Sequence, residues 1–457
     1  MIKYLGSKRR LVPELRALFE ASGARTALDL FTGTTRVAQA FKQTGATVTA
    51  VDCTRYASVF AACYVATDAT TTDRKALDDA IAELDALPGE PGYVTETFSR
   101  RARYFQPHNA ARIDAVREAI ARSFEGDALE PVLLTSLVEA ADRVDSTTGV
   151  QMAYVKQWAA RSYQKLTLRP PALLAGRGLA IRGDACQLAG TLGTFDFAYL
   201  DPPYNQHRYD ANYHVWETLV AWDAPEAYGV ACKREEIRTG PRSLFNSRRT
   251  MPGALAGVVR DLQADLCVLS YNDESFLTLD ELLDICGIRG HVACLAFPST
   301  RYVGARIGIH NPRGERVGTV GRLRNVEYLL VSGARSDVLR SIGPLRAARL
   351  ESSAIGASSA RPFRLTLPLD PRAPSLSTLP SEPATDQGDW PWERFRAGWR
   401  SSRVPAGVSA GSTPCCSLPR APRWSSTTSV VPSTAPETTG RRPSRWWTRS
   451  VPWEARP

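Results

Sequence analysis

Seven short runs of β-branched and apolar residues, each closing on turn-forming residues, constrain this chain more than any other feature. They are TALDLF (26–31), ATVTAVD (46–52), LAIRGD (179–184), FDFAYLD (195–201), DLCVLSYN (265–272), HVACLAF (291–297) and NVEYLLVS (325–332). Runs this short and this apolar belong to strands buried on both faces, so helices must cover the sheet that they build. The runs fall in two blocks, 1–60 and 175–333, with helical pattern between successive runs. Residues 61–174, which separate the blocks, show helical periodicity throughout, as in RIDAVREAIARSF (112–124) and EPVLLTSLVEAADRV (130–144). The expectation is an α/β fold with a helical insertion between its early and late strands.

Residues 334–457 break this pattern. They hold 17 of the 31 prolines and 7 of the 10 tryptophans, among Ser, Thr and Arg, as in PRWSSTTSVVPSTAPETTGRRPSRWW (422–447). No apolar period survives, so this low-complexity tail reads as disordered. It is either a flexible DNA-tethering segment or the product of a shifted reading frame. The tail also carries the charge: 18 of the 57 Lys+Arg residues but only 9 of the 47 Asp+Glu residues lie in it. The remaining chain is close to neutral, so the net charge of +10 says nothing about what the folded part binds.

The nine cysteines form no CxxC pair and no cluster with histidines at metal spacing, so neither a disulfide framework nor a metal site is expected. The charged start MIKYLGSKRR leads into no apolar stretch, and no run approaches the ~20 apolar residues of a membrane helix. A cytoplasmic protein without a membrane anchor is expected.

The strongest chemical signal is Asp201-Pro202-Pro203-Tyr204, directly after the run FDFAYL. A carboxylate at the carboxyl end of a buried strand lies where α/β sheets bind ligands. The residue types suit an exocyclic amino group such as N6 of adenine, whose lone pair is delocalised into the ring. That nitrogen becomes nucleophilic when acceptors hold its two N–H groups and favour a pyramidal geometry. The Asp201 carboxylate can take one N–H and the Pro202 carbonyl the other, in a loop that the prolines stiffen. Tyr204 offers a ring on which an extruded base can stack, worth about 1–3 kcal/mol. No strong base is needed, because a sulfonium is an excellent methyl donor. An ordinary strand-ending turn would also contain Asp-Pro, so the neighbouring motifs matter.

Four segments accompany it. Asp29-Leu30-Phe31-Thr32-Gly33-Thr34-Thr35 is a small-residue turn from a strand into a helix, of the kind that lets a cofactor approach the backbone. With one glycine it is not GxGxxG, which disfavours a dehydrogenase. Asp52, ending the next run, is suited to accept both hydroxyls of a ribose. Lys3-Tyr4-Leu5-Gly6-Ser7-Lys8 allows a tight turn, with Lys8 able to meet a carboxylate. Asp184 ends the run before FDFAYLD, where it can accept a nucleobase amino group. Each alone is equally a helix cap, a turn or a solvated terminus.

Together these segments resemble the adenine-N6 DNA methyltransferases of the Dam-like class, in their restriction-modification members. KYLGSK, DLFTGTT, VDCTRY and DPPY match the family's lysine motif, cofactor loop, ribose-binding segment and catalytic motif. The likeness extends through RYFQPHNAARIDAVREAI (103–120), LLTSLVEAADRVDSTTGVQMAYVKQW (133–158), DPPYNQHRYDANYHVWETL (201–219) and LSYNDE (269–274). It covers residues 1–333 and departs from the family at Thr34-Thr35 and in the Arg/Gly-rich segment 301–329. It implies a Rossmann-like, S-adenosylmethionine-dependent methyltransferase sheet of seven strands with a partly antiparallel end, and an insertion, 61–174, that recognises the DNA target. Catalytic roles are then expected of Asp201, Pro202, Pro203 and Tyr204. Contacts to S-adenosylmethionine are expected of Tyr4, Lys8, Asp29, Phe31, Thr32, Gly33, Asp52, Asp184 and Asp201. His207, Arg208, Tyr209 and Tyr213 become candidates for contact with double-stranded DNA. A cognate restriction endonuclease is a further expected partner. Two other readings stay open on sequence alone: an RNA adenine methyltransferase, and an inactive DNA-binding partner of the same fold.

Overall fold

The computed structural model describes residues 2–152, 154–155, 157–300, 309–310, 316–318, 324–354 and 364–366. All of these lie in one compact unit, residues 1–378. Its central sheet contains β1 (Thr26–Asp29), β2 (Thr47–Asp52), β3 (Gly178–Arg182), β4 (Phe195–Leu200), β5 (Ala264–Asn272), β6 (His291–Thr300), β7 (Arg324–Gly333) and β8 (Arg364–Thr366). Their spatial order is β8-β6-β7-β5-β4-β1-β2-β3. Strands β1 to β5 pair in parallel. Strand β7 runs antiparallel between β5 and β6, and β8 antiparallel beside β6. All seven expected strands are in the sheet, with the expected antiparallel end. Near-continuous burial along β4 and β5 explains why their sequences do not alternate.

The chain order reverses direction between β1 and β4, with Asp29 in register with Tyr199. At such a switch point the loops leaving the two strands diverge and open a crevice at their carboxyl ends. Asp29 ends β1 and Asp201 follows β4, so both motifs open onto it.

Helices α1 (Val12–Ser22), α2 (Arg36–Lys42) and α3 (Arg55–Ala61) belong to the first block. The insertion supplies α4 (Arg74–Ala86), α5 (Pro107–Phe124) and α6 (Glu130–Val144). The second block adds α7 (His214–Ala221), α8 (Met251–Asp261), α9 (Leu279–Gly287) and α10 (Arg335–Ala354). One sheet face is covered by α1 and α2, where Phe19 stacks on Phe41 at 4.6 Å and Phe41 meets Phe197 at 5.3 Å. The other face packs under α8 and α9 through Leu255, Val258, Leu282 and Cys286.

The insertion is not a separate body. Leu77, Ile113, Val116, Leu133 and Leu137 share a core with Trp216 and Leu219 of α7, and Arg117 Nε donates to the Leu219 carbonyl at 2.6 Å. Helical structure was expected through residue 174, but after α6 the described chain is irregular apart from one turn, Ala160–Tyr163. Gly149 and Gly176 adopt positive φ, and Pro170 and Pro171 cannot donate backbone hydrogen bonds, so no helix propagates there.

The tail also departs from expectation at its start. Helix α10 begins two residues after Gly333; Val338 and Ile342 are buried against the sheet, and Ser341 Oγ donates to the Leu18 carbonyl at 2.9 Å. An apolar pair at i and i+4 secures one short helix face, too brief a period to stand out in arginine-rich sequence. Strand β8 was not anticipated either. The remainder of the tail lies outside the described residues.

Candidate active site

Strand β1 delivers the first loop. Its terminal Asp29, 1% exposed, accepts from Thr32 Oγ1 at 3.0 Å and from the Ala38 amide at 3.1 Å, both at Oδ2. The loop therefore folds back over the strand end, and the Thr32 amide donates to the Val51 carbonyl of β2 at 3.0 Å. Gly33 and Thr35 both take left-handed backbone, at φ 50° and 62°. A Cβ at position 33 would lie 3.0 Å from the Tyr4 hydroxyl, so the single glycine stands where space is tightest. Thr35 occupies a conformation that costs an L residue about 1–2 kcal/mol, offset by its bonds to the Thr34 carbonyl and Gln39 side chain, both 2.7 Å.

Asp52 ends β2 and locks onto this loop. Its Oδ2 accepts the Gly33 amide at 2.9 Å, while Oδ1 accepts the Thr54 amide at 2.9 Å and hydroxyl at 2.8 Å. Burial raises its pKa against the pull of these donors. Both carboxylate oxygens are thus already engaged, so the two ribose hydroxyls expected from the sequence would have to share or displace these donors.

The third strand end brings the Asp201–Tyr204 loop. Asp201 Oδ1 lies 3.2 Å from Lys8 Nζ, and the same ammonium lies 3.1 Å from Glu327 Oε2 on β7. Lys8 is only 8% exposed and sits 5.7 Å from the centre of the Tyr204 ring. Burial opposes its charge, but Asp201 and Glu327 hold its pKa well above the ordinary lysine range. Burial pushes Asp201 up to about 6; Lys8 pulls it down and Glu327 pushes it further up. Burial likewise takes Asp29 to about 7. Tyr204 packs edge-on against Tyr271 at 5.8 Å, and its carbonyl accepts the Phe276 amide at 3.0 Å, anchoring the far end of the loop. Asp29, Asp201 and Glu327 thus share one largely buried crevice with the Lys8 ammonium, and burial brings the titration midpoint of the Asp201 carboxyl to about 6.

Aromatic rings close one side. Tyr4 stacks on Tyr213 at 4.8 Å and on Tyr209 at 5.5 Å, and the Tyr213 hydroxyl accepts the Leu5 amide at 2.5 Å. Of the DNA-contact candidates, His207 is exposed and Tyr209 half-buried. Tyr213 is 1% exposed and supports Tyr4 from within, so it is not available to DNA. Arg208 is committed inside the protein, paired with Asp210 and donating to the Ile237 carbonyl at 2.6 Å. Phe31 packs edge-on against Phe245 at 5.2 Å. Asp184 is exposed and caps the short helix Ala185–Leu188 through the Cys186 amide at 2.8 Å; Gly183 beside it donates to the Asp52 carbonyl at 3.0 Å. Pro202 is buried and Pro203 half-buried in the loop.

Residues 4–282, which contain Tyr4–Lys8, the first loop and the Asp201–Tyr204 loop, match the family described as D12 class N6 adenine-specific DNA methyltransferase. The chain belongs to this family. The methyltransferase sheet implied by the sequence is the sheet observed. Modification methylase StsI of Streptococcus sanguinis is 26% identical over 302 residues, 62% of this chain and 46% of that protein. Type II methyltransferase M.NlaIII of Neisseria lactamica is 28% identical over 300 residues, 62% of this chain and 87% of that protein. Type II methyltransferase M.CviAII of Paramecium bursaria Chlorella virus 1 is 31% identical over 217 residues, 45% of this chain and 64% of that protein. The chain therefore spans less than half of the StsI methylase and most of M.NlaIII.

Sequence reasoning missed three polar residues of this D12-class site. Glu327 is the single charge inside NVEYLLVS, and Glu217 the single charge inside HVWETLVA. Glu217 accepts the Arg55 amide at 3.0 Å and the Tyr56 amide at 3.2 Å, fixing the start of α3 beside Asp52. A lone carboxylate in an apolar run is a readable signal, because burial there demands a partner. Asn246 carries no such signal. Its Nδ2 donates to the Asn205 and His207 carbonyls at 3.0 and 3.1 Å and so holds the loop after Tyr204.

Proposed function

We propose that this methyltransferase transfers a methyl group from S-adenosylmethionine to N6 of an adenine extruded from double-stranded DNA, at a specific site, within a restriction-modification setting. The observation that carries the reading is the Asp201–Pro203 loop at the carboxyl end of β4, beside the Asp29–Thr35 loop and Asp52. Acceptors for an amino group and a pocket edge for a nucleoside thereby face one crevice.

The residues present fit the cofactor. Asp29 Oδ1 is buried without a hydrogen-bond partner among the described residues, Asp52 ends the neighbouring strand beside it, and at Gly33 the backbone carries no side chain that would block an approach. Tyr4, Asp29, Phe31, Thr32, Gly33 and Asp52 would hold it, with Asp184 available at the neighbouring strand end; when bound it supplies an activated methyl group on a sulfonium. Asp201 accepts one amino N–H of adenine and the Pro202 carbonyl the other, while Pro203 stiffens the turn and Tyr204 stacks on the base. Lys8 acts first on Asp201, which is its partner in the free protein. It can reach a cofactor carboxylate only by giving up one of two carboxylates.

The 61–174 insertion is proposed to recognise target DNA, with His207 and Tyr209 beside the base. Among the described residues no helix is long and apolar enough to cross a membrane; we place the enzyme in the cytoplasm, with a cognate endonuclease as a partner. The family is DNA-specific, which disfavours an RNA substrate, and the Lys8–Asp201 pair disfavours an inactive partner. The test is methylation-aware sequencing of DNA from a host expressing the protein, with labelled methyl transfer in vitro. N6-methyladenine at one recurrent sequence is expected; its absence in both assays overturns the reading.

A further inference from the structure

We propose that Glu327 is a positioning residue for methyl transfer: by sharing the Lys8 ammonium with Asp201, it keeps an acceptor position of Asp201 open toward the adenine amino group. The inference rests on the proposed reaction and adds to it a third carboxylate, contributed by the reversed strand β7.

The geometry carries it. Lys8 Nζ bonds Asp201 at 3.2 Å and Glu327 at 3.1 Å, and the ammonium is buried between the loop after β4 and strand β7. A buried ammonium with one carboxylate partner would pair with it as tightly as geometry allows, occupying the lone pairs that the substrate needs. A second carboxylate at equal distance divides that attraction and fixes the ammonium between the two. Glu327 itself is held by the pairing of β7 with β5 and β6, where it faces Asn272 and Phe297 in register.

The groups facing Asp201 come from every side: Lys8 from the N-terminal segment, Glu327 from β7, Asp29 from β1, Tyr199 from β4, and Tyr204 and Tyr209 from the loop and short helix that follow. Of these, Lys8 lowers the Asp201 pKa and Glu327 raises it. Removing the Glu327 charge therefore leaves Lys8 to act alone, and the pH at which Asp201 loses its carboxylate form moves downward.

The test uses the full chain, with Glu327→Gln and Glu327→Asp. Cofactor affinity is read by calorimetry with S-adenosylmethionine, and kcat against pH by labelled methyl transfer to DNA. The Gln variant should bind the cofactor as wild type does, lose about tenfold or more in kcat, and shift its acidic limb to lower pH, as misplacement of a reacting group predicts. The Asp variant keeps the charge but is shorter by one methylene, and should fall between the two. A Gln variant with wild-type kcat and limb overturns the proposal. Should that variant not fold, an Asp variant with an unchanged profile overturns it equally. Wild-type protein that methylates no adenine would instead defeat the parent reading, so the two failures are distinct.

Discussion

Replacing Asp201 by asparagine separates the charge of the proposed catalytic carboxylate from its shape. The amide keeps an oxygen that can accept from Lys8, and Glu327 still holds that ammonium at 3.1 Å, so no buried charge is stranded. The cost to stability should stay near about 1 kcal/mol, the worth of one weakened hydrogen bond. The cost to catalysis is larger, because a neutral acceptor binds the amino N–H about half as strongly and the amide can present a donor instead. Losing one preorganised interaction at a reacting centre typically costs ~10²–10³ in kcat, about 2.7–4 kcal/mol. Alanine at the same position would leave Lys8 with Glu327 alone, adding about 1–3 kcal/mol of instability that asparagine avoids. Single-turnover methyl transfer at saturating cofactor and DNA, followed from acidic to neutral pH, reads both effects. The wild-type rate should fall as pH drops through about 6, because protonation turns the acceptor into a donor. The asparagine variant should be slow and lack this limb. Wild-type turnover in Asp201→Asn, or a wild-type rate flat across that range, refutes the role.

Asp52→Asn should weaken S-adenosylmethionine binding by about 1.5–3 kcal/mol, the worth of one charge-assisted bond; calorimetry that finds unchanged affinity rejects Asp52 as a cofactor ligand. Gly33→Ala should lower the same affinity through its positive φ and the Tyr4 hydroxyl 3.0 Å from the new Cβ, and Tyr4→Phe in the same chain should restore part of it; no rescue would show that the hydroxyl is not the obstacle. Ile342→Ala, at 2% exposure, should cost about 2–5 kcal/mol in urea unfolding, whereas removing 379–457, outside the compact unit, should change neither melting nor the methylated sequence. A chain ended at Gly333 loses α10 and should melt lower than one ended at 378; equal melting would deny α10 a structural role.

The sheet was legible because strands buried on both faces leave compact apolar runs, and every one of the seven became a strand. The three strand-end carboxylates, Asp29, Asp52 and Asp201, were legible for a related reason. Each closes an apolar run at the carboxyl end of a strand, where an α/β sheet binds its ligands, and their recurrence at three strand ends is what set them apart from ordinary caps and turns. What Lys8 meets was not legible, because its partner Glu327 lies 319 positions away and the pairing exists only once β7 inserts between β5 and β6. Arg208 and Tyr213 misled for the converse reason. Residue type suggested DNA contact, but an arginine two residues before Asp210 pairs locally, and a tyrosine at the start of a buried helix fills the core. The structured start of the tail stayed hidden because Val338 and Ile342 span barely one helical turn.

The N-terminal segment explains why these distant parts form one site. Lys3 pairs with Asp142 at 3.0 Å and Asp145 at 3.3 Å, at and just beyond the end of α6 in the insertion. Tyr4 lies against the Gly33 turn and stacks on Tyr209 and Tyr213 beyond the catalytic loop. Gly6 takes φ 76° to turn the chain, with Tyr209 Oη 3.0 Å from where a Cβ would stand. Lys8 then reaches Asp201 and Glu327. Six residues thus touch the insertion, the first loop, the catalytic loop and the reversed strand. None of those four elements is adjacent to another in sequence, and the sheet alone fixes only their strand ends. A short segment that touches all four sets the spacing between the loops themselves, which hydrogen bonds within the sheet do not reach. The contacts of Lys3 and Lys8 are ion pairs between buried or half-buried groups, so directional bonds hold the segment at both of its ends.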